Sequence, residues 1–316
     1  MQKRILFTGG SSFTGAWFVR ELCACGFEVV AIFQRGDLSE YEGVRRNRVE
    51  IVAGCATSSV YGCSFGDDQF MSLLKDASGG WDVLCHHGAY VKDYKSADFN
   101  VLHAVEENTK NIGEVIKIAS DSQRMSVVLT GSIFEQGEGA GSEGLPAISP
   151  YGLSKALTSE IVRYYADEAG VAFGKFVIPN PFGPLAEPKF TNFLVKTWFA
   201  GEIPTVRTPM YVRDNIEVTL LAKAYARFVG EIDPKRGFAK FNPSGYIESQ
   251  GAFAQRFGRE MEVRLGIACP VALAEQVEFS EPRIRVNTEL VNGVALGWDE
   301  GKAWDGIAAY YSQIYG

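Results

Sequence analysis

The chain has 316 residues, of which 46% are apolar and 22% are charged, values ordinary for a soluble folded protein. The formal net charge of −7 excludes bulk binding of nucleic acid, because no basic face dominates the sequence. No stretch is apolar enough for a signal peptide or a membrane span, so a cytoplasmic protein is expected. The cysteines and histidines show no zinc spacing, and no metal is expected.

The N-terminal segment predicts a strand, a glycine turn and a helix. Residues 4–8 form a compact apolar run, and Gly9-Gly10-Ser11-Ser12-Phe13-Thr14-Gly15 leads into a helical stretch that ends near residue 22. In this context Gly9 permits the tight turn and Gly15 lets the helix pack closely on the strand, as in a dinucleotide site. The helix N-terminus offers free N–H groups to a pyrophosphate. Ser12 stands where glycine is often found, so a less close backbone approach to the cofactor is expected.

The second predicted strand, residues 27–33, bears on the choice of cofactor. An NAD site of this kind places Asp or Glu at the strand end for the ribose hydroxyls. Here that position is Phe33, followed by Gln34 and Arg35. A guanidinium binds a 2′-phosphate that a carboxylate would repel, so the sequence favours NADP, with NAD as the other possibility. A surface arginine without a role remains the alternative for Arg35.

Further strands and helices alternate along the chain. Strands are predicted at 49–53, 81–86, 126–130 and 173–178, and helices at 70–75 and 108–119. The basic run 45–48 and the segment 54–66 are interpreted as loops. Such alternation implies right-handed crossovers and a parallel sheet, with ligands at the carboxyl ends of its strands. His86 and His87 end one strand and are interpreted as packing residues beside the cofactor.

The segment Ser149-Pro150-Tyr151-Gly152-Leu153-Ser154-Lys155 holds a Tyr and a Lys four residues apart at the start of a predicted helix. This spacing places both side chains on one helix face, directed into the same cleft. A nearby cation is expected to lower the pKa of the phenol from about 10 and make it a proton shuttle. Ser132 ends an earlier strand and precedes a glycine-rich connection at 137–144. A hydroxyl there can hydrogen-bond the substrate oxygen that Tyr151 protonates.

The segment Pro179-Asn180-Pro181-Phe182-Gly183-Pro184 predicts a rigid elbow at the entry to a second part of the chain. Residues 193–200 and 220–229 are helical in pattern, and the tail alternates short strands and helices. We expect a Rossmann-type doubly wound parallel α/β sheet with a smaller C-terminal α/β substrate-binding part. The predicted domains are 1–178, which binds the dinucleotide, and 179–316, which mainly binds substrate, with about 211–230 returning to the first.

Together these motifs resemble the extended short-chain dehydrogenase/reductase family, in its nucleotide-sugar branch, over nearly the whole chain. Asn180 to Pro184 is similar to its N-x-[YF]-G-P elbow, and the segment VRDNIEV at 212–218 is similar to VRDYIHV of the sugar 4-epimerases. The resemblance implies three catalytic residues: Ser132, Tyr151 and Lys155. The expected cofactor contacts are Gly9, Ser11, Ser12, Phe13, Thr14, Gly15, Arg35, His87, Ala89, Asn108, Tyr151 and Lys155. The expected substrate contacts are Ser132, Asn180, Arg213, Arg283 and Arg285.

Departures from the family pattern narrow the reaction. The sugar 4,6-dehydratases carry Asp-Glu after the hydroxyl residue, whereas Ile133 and Phe134 follow Ser132 here, so 4,6-dehydration is set aside. Glu217 stands where the 4-epimerase segment has His. The leading interpretation is an NADP(H)-dependent 4-ketoreductase of a nucleotide sugar, because NADPH is the usual expendable reductant and Arg35 favours it.

The alternatives are a nucleotide-sugar 4-epimerase with tightly bound NAD(P), another dehydratase or a reductase of a non-sugar carbonyl, and a non-catalytic cofactor-binding regulator. The expected partners are a nucleotide sugar and a second copy of the chain in a homodimer.

Overall fold

The computed structural model describes residues 2–75, 80–141 and 144–316. The chain divides into two compact units. Unit 1 comprises Met1–Glu138, Pro146–Ile178 and Ala222–Asn242, and unit 2 comprises Gly139–Leu145, Pro179–Leu221 and Pro243–Gly316. Ser142 and Glu143, within the predicted glycine-rich connection, lie outside the described residues. The assignment of cofactor and substrate binding to separate parts of the chain stays a prediction.

The strands, in chain order, are β1 Arg4–Thr8, β2 Glu28–Ile32, β3 Ser58–Val60, β4 Val83–His86, β5 Ser126–Ser132, β6 Phe173–Ile178, β7 Asn180–Phe182, β8 Thr205–Val206, β9 Val212–Glu217, β10 Phe238–Phe241, β11 Pro243–Ser244, β12 Tyr246–Ser249, β13 Ala272–Leu273, β14 Ile284–Arg285 and β15 Glu289–Leu290. The helices are α1 Phe13–Ala24, α2 Gly43–Cys55, α3 Asp68–Lys75, α4 Val101–Asn108, α5 Ile112–Ser122, α6 Pro150–Ala169, α7 Phe190–Phe199, α8 Val218–Glu231, α9 Gln250–Leu265 and α10 Glu300–Tyr315.

Unit 1 is built on a seven-stranded sheet in the order β10-β6-β5-β4-β1-β2-β3, and each neighbouring pair in it is parallel. Strands β2 and β3 lie on one side of β1, and β4, β5, β6 and β10 lie on the other. This is the doubly wound arrangement predicted from the sequence. Strands β1, β2 and β4 are almost wholly buried, as expected for central parallel strands covered on both faces. The Rossmann-type fold class is therefore confirmed.

Residues 49–53, predicted to form a strand, lie instead inside α2. Val49 and Val52 are the buried positions there, and their spacing of three is helical rather than alternating. The basic run 45–48, interpreted as a solvated loop, belongs to the same helix. Arg48 is buried with its guanidinium carbon 5.8 Å from the centre of the Phe13 ring. The strand prediction for residues 49–53 is therefore wrong, because this short apolar run has the period of a helix.

Two further predictions were wrong in detail. Residues 54–66, interpreted as a loop, contain the edge strand β3, which pairs with β2 through Ile32 and Val60. The helix predicted from 108 to 119 is α5, which begins at Ile112, and Asn108 ends the preceding helix α4 rather than opening the next one. Asn111 lies between them in a left-handed conformation, with φ of 55°, so the chain changes direction there.

Unit 2 is the smaller α/β part of the chain. Strand β9 is its central strand, antiparallel to β12 and parallel to β7 and β14. Two short parallel pairs, β11 with β15 and β8 with β13, complete its sheets among the described residues. Its core is aromatic, with Phe182, Trp198, Phe253, Phe257 and Trp304 buried together. No helix in the described part of the chain has the length and apolar character needed to cross a bilayer.

Candidate active site

The glycine loop after β1 has the conformation that a dinucleotide site requires. Gly9 has a φ of 81°, and a Cβ atom there would lie 2.6 Å from the backbone nitrogen of Gly88. A Cβ atom on Gly15 would lie 2.2 Å from the carbonyl oxygen of Gly9. Both glycines therefore allow backbone segments to approach more closely than a side chain would permit. The loop fits a pyridine nucleotide at the N-terminus of α1.

Ser12, the departure from the glycine pattern, is the N-cap of α1. Its Oγ accepts a hydrogen bond from the Gly15 N–H at 3.1 Å and donates one to the Gly9 carbonyl at 2.9 Å. The cap uses the Gly15 N–H, one of the free N–H groups of the first turn, and those of Phe13 and Thr14 remain available to a ligand. The Ser11 and Ser12 side chains stay partly exposed beside them.

His87 joins this loop to the neighbouring strand β5. Its Nε2 lies 2.9 Å from Ser12 Oγ and 3.2 Å from Thr14 Oγ1, and its Nδ1 lies 2.9 Å from Thr130 Oγ1. Burial lowers the pKa of His87 to about 3, so the ring is neutral. Both ring nitrogens thus contact protein hydroxyls and hold the cofactor loop.

His86 is a second neutral, buried histidine. Its Nε2 lies 2.9 Å from the Asn108 carbonyl and its Nδ1 lies 3.2 Å from Thr8 Oγ1. Burial lowers its pKa to about 4. The Asn108 side chain accepts from the Tyr90 N–H at 2.7 Å and donates to Thr158 Oγ1 at 3.3 Å. Asn108 is therefore engaged by protein groups, and its cofactor contact stays a prediction, as does that of Ala89, a half-buried residue next to Tyr90.

At the end of β2, Phe33 is buried and packs on the rings of Tyr41 and Tyr61. Arg35 is exposed. Its guanidinium donates to the Glu40 carbonyl and lies over the Tyr41 ring at 5.3 Å. The Glu40 carboxylate accepts from the Gly36 N–H at 3.1 Å in the same loop. Arg35 therefore stands in the predicted place, with a carboxylate close by.

The Tyr/Lys segment opens α6 as predicted. Ser149 is the N-cap, with its side chain accepting from the Gly152 N–H, and Pro150 occupies the first turn, where its missing N–H costs nothing. A Cβ atom on Gly152 would lie 2.1 Å from the Phe134 carbonyl oxygen. This glycine therefore lets the start of α6 lie directly against the turn that follows Ser132.

Tyr151 and Lys155 lie one turn apart on α6. The Lys155 ammonium is buried and donates to the Thr130 carbonyl at 2.6 Å. Burial lowers its pKa to about 8, opposed by the Glu135 charge. The Tyr151 ring lies 5.4 Å from the ring of Tyr94. Its pKa is raised, first by burial and then by the Glu135 charge. The expected lowering by Lys155 is therefore not seen in this structure.

Ser132 is the last residue of β5 and is held on every polar atom of its backbone. Its N–H donates to Glu135 Oε1 at 2.7 Å, and its carbonyl accepts from the Glu135 N–H at 3.0 Å. Its Oγ accepts from the Phe134 N–H at 3.2 Å. With one lone pair occupied, the hydroxyl is placed to donate its hydrogen to a ligand oxygen. Sequence reasoning missed Glu135. The signal that could have indicated its role is a carboxylate three residues after the strand-end serine.

In unit 2, Asn180 and Arg213 lie on adjacent strands, β7 and β9. Asn180 Nδ2 donates to the Asp214 carbonyl at 3.3 Å. The Arg213 guanidinium donates to the Glu281 carboxylate at 2.8 Å and to the Pro282 carbonyl at 3.1 Å, and lies 4.5 Å from the centre of the Tyr211 ring. Arg213 therefore holds the segment around residue 281, and its substrate contact stays a prediction.

The other two predicted substrate arginines differ in environment. Arg285 is buried and pairs with Arg213 across the parallel strands β14 and β9, which places both residues at the same register. Arg283 is exposed, with its guanidinium 5.7 Å from the Phe279 ring. Glu217, in place of the epimerase histidine, accepts from the N–H groups of Thr219 at 2.8 Å and Leu220 at 3.2 Å, and so caps α8.

Comparison with known proteins identifies the family. The model of the NAD dependent epimerase/dehydratase family matches residues 5–235 of the chain. No curated protein matches the sequence significantly.

Solved structures match the fold over nearly the whole chain. UDP-glucuronic acid 4-epimerase from Bacillus cereus, in complex with UDP-glucuronic acid and NAD, is 15% identical, with a TM-score of 0.71 over 99% of this chain and 100% of that one. UDP-glucose 4-epimerase from Thermotoga maritima, with UDP-glucose, is 16% identical, with a TM-score of 0.70 over 99% and 100%. UDP-N-acetylglucosamine 4-epimerase from Methanobrevibacter ruminantium, with UDP-N-acetylmuramic acid, is 16% identical, with a TM-score of 0.71 over 99% of both chains.

The family match covers well over half of the chain and includes the glycine loop, Ser132 and the Tyr/Lys helix. The chain therefore belongs to the NAD-dependent epimerase/dehydratase family.

Proposed function

We propose that this chain is a nucleotide-sugar 4-epimerase that keeps a pyridine nucleotide bound through its catalytic cycle. The observation that carries the proposal is the contact of α6 with the end of β5, in a member of this family: the Lys155 ammonium donates to the Thr130 carbonyl at 2.6 Å, and Gly152 lies against the turn that follows Ser132. The fold neighbours described above are UDP-sugar 4-epimerases, which supports this reading over the reductase that the sequence favoured first. For the same reason a UDP-sugar is the proposed substrate.

A pyridine nucleotide, held by the glycine loop after β1 and by Lys155, would supply reversible hydride transfer at C4 of the sugar. Tyr151 would exchange the proton of the C4 hydroxyl. Its raised pKa keeps the phenol protonated at rest, the form that donates a proton to a keto oxygen. In the opposite direction the phenolate is needed, and the Lys155 ammonium on the same helix face stabilises it. Ser132 would donate its hydroxyl hydrogen to the same oxygen and fix its position.

Dehydration is not supported by the residues next to Ser132. Ile133 is apolar and buried, and Phe134 cannot transfer a proton. The Glu135 carboxylate already accepts from Ser132 and lies 2.6 Å from the Lys175 ammonium, so it is engaged away from a substrate. These observations support Tyr151 as the side chain that exchanges protons with the sugar.

For the resident cofactor we propose NAD, with NADP as the alternative. The Arg35 guanidinium is engaged with the Glu40 carbonyl and the Tyr41 ring. The carboxylates of Asp37 and Glu40 lie in the same loop, where they would repel a 2′-phosphate. The sequence preference for NADP counted the arginine without these two neighbours.

In unit 2, Arg213 and Arg285 are proposed to bind the substrate diphosphate, with Asn180 close by on β7. Their register on neighbouring strands supports the proposal, because two guanidinium groups at one level suit a bidentate anion. Arg213 would exchange its contact with Glu281 for the phosphate.

A 4-ketoreductase is the second candidate, because Arg35 follows β2 where a carboxylate would mark an NAD site. The two functions are separated by incubating purified protein with UDP-sugars and no added cofactor. An epimerase yields a mixture of C4 epimers, observed by NMR, and co-purifies with its cofactor. Conversion that requires stoichiometric NADPH and a 4-keto sugar would establish the reductase instead.

A further inference from the structure

A buried ion cluster lies directly behind the end of β5 in unit 1. Glu135 and Lys175 are almost completely buried, and Glu135 Oε2 lies 2.6 Å from the Lys175 ammonium. The ammonium also lies 2.8 Å from Glu138 Oε1, and the other oxygen of Glu138 lies 3.1 Å from the Lys240 ammonium. Burial of an ion pair costs about as much as its attraction returns, so stability alone is a weak reason to place one here.

The cluster is joined to the catalytic residues through Glu135. One carboxylate oxygen faces Lys175 and the other accepts from the N–H of Ser132 at 2.7 Å. The chain makes room for this contact at Gly131, where a Cβ atom would lie 2.9 Å from Lys175 Cε and 3.0 Å from Glu135 Oε1. The glycine that precedes Ser132 is therefore matched to the ion pair behind it.

The charge of Glu135 also acts on the two residues of α6. It raises the pKa of Tyr151, after burial, and it opposes the lowering of the Lys155 pKa by burial. Lys175 acts on Lys155 in the opposite sense and lowers its pKa. His86 and His87 also interact with Lys155, but both are neutral near the pKa of Lys155, about 8. The charges that matter there are those of Glu135 and Lys175.

We propose that Glu135, held in place by Lys175, is a positioning residue for the reaction: it fixes Ser132 at the end of β5 and sets the charge around Tyr151 and Lys155. The pair does not touch the substrate and acts through these three residues. This inference rests on the proposed proton exchange at Tyr151. It goes beyond it, because neither residue belongs to the Ser132, Tyr151 and Lys155 set.

The test compares Glu135→Gln with Lys175→Met. Both changes break the buried pair, so Tm should fall in both. Glu135→Gln should lower kcat by about 10- to 100-fold, the scale of a small misplacement of reacting groups, with KM unchanged. Activity that needs the Lys155 ammonium is present below its pKa and lost as pH rises through it. The alkaline limb of the pH–activity profile, along which this activity is lost, should therefore move to lower pH in Glu135→Gln and to higher pH in Lys175→Met.

If the pair were purely structural, kcat would change in the same direction in both variants and the alkaline limb of the pH profile would stay in place. That result would overturn the proposal. Should Lys175→Met fail to fold, the double variant serves instead. It should recover part of the Tm, while its limb still moves to lower pH, because Glu135 acts on Lys155 more strongly than Lys175 does. The matched control is Glu21→Gln with Lys223→Met, a pair 3.1 Å apart that joins α1 and α8, which should not move the limb.

The limb is also measured without substrate, from the pH dependence of NAD⁺ binding, since Lys155 is a predicted cofactor contact. Absence of turnover on every UDP-sugar would refute the proposed function. The binding measurement would then still decide the role of Glu135: an unchanged limb in both variants would reject it.

Discussion

Gly15→Ala is a direct test of the cofactor loop. A Cβ atom there would lie 2.2 Å from the Gly9 carbonyl oxygen, 2.7 Å from Ser12 Oγ and 2.9 Å from His87 Cδ2. The first contact is with backbone, so the loop itself must move. Overpacking of this kind costs about 1–3 kcal/mol of folding free energy. Alanine is more favourable than glycine inside a helix by roughly 0.5–1 kcal/mol, which offsets part of that cost. We expect a net loss of about 1–2 kcal/mol and a Tm lower by about 2–8 °C.

The control is Gly54→Ala, the same substitution in a helix of the same unit. Gly54 is exposed in α2, and a Cβ atom there would meet nothing within 4 Å. It should raise stability by roughly 0.5–1 kcal/mol and leave NAD binding unchanged. Gly15→Ala should instead weaken NAD by about 10-fold or more, measured by calorimetric titration. Wild-type affinity in Gly15→Ala would refute the assignment of this loop to the cofactor.

Three other substitutions test separate parts of the site. Tyr151→Phe should lower kcat by about 10²–10⁴-fold with the fold and cofactor affinity retained, and normal turnover would remove Tyr151 from the mechanism. Arg35→Ala should leave NAD affinity unchanged. The NADP assignment would be restored if the wild type preferred NADP and Arg35→Ala bound NADP about 10- to 100-fold more weakly in calorimetric titration. Arg213→Met should raise the KM for the UDP-sugar and lower Tm, because the guanidinium also holds Glu281, while cofactor affinity stays the same. A lower Tm without a change in KM would give Arg213 a structural role alone.

Local patterns predicted the parts of the site that depend on local backbone geometry. The glycine loop after β1 and the Tyr/Lys spacing on α6 are each set by a few consecutive residues, and both have the predicted secondary structure. The apolar run at 49–53 failed as a prediction because five residues do not separate a strand from one face of a helix. Helix α4 was missed because Ala104 and Asn108 are its buried positions, too few to give an apolar period.

Contacts between distant residues were not predictable from such patterns. Ser12 looked like a weakened glycine loop, whereas its hydroxyl caps α1 and contacts His87, 75 positions away. The pKa of Tyr151 was predicted from Lys155 alone, since sequence spacing shows a neighbour on the helix but neither burial nor the charge of Glu135. Glu135 and Lys175 meet only because β5 and β6 pair in the register that places Leu129 beside Lys175.

In the proposed reaction, hydride leaves C4 of the sugar and returns to the same carbon within one active site. This reaction is tested most directly with a UDP-sugar that carries deuterium at C4, incubated with the purified protein and no added cofactor. The expected result is a mixture of the two C4 epimers in which the product retains the deuterium at C4. Absence of the second epimer, or a product whose C4 has exchanged its deuterium for hydrogen from an external reductant, would contradict it.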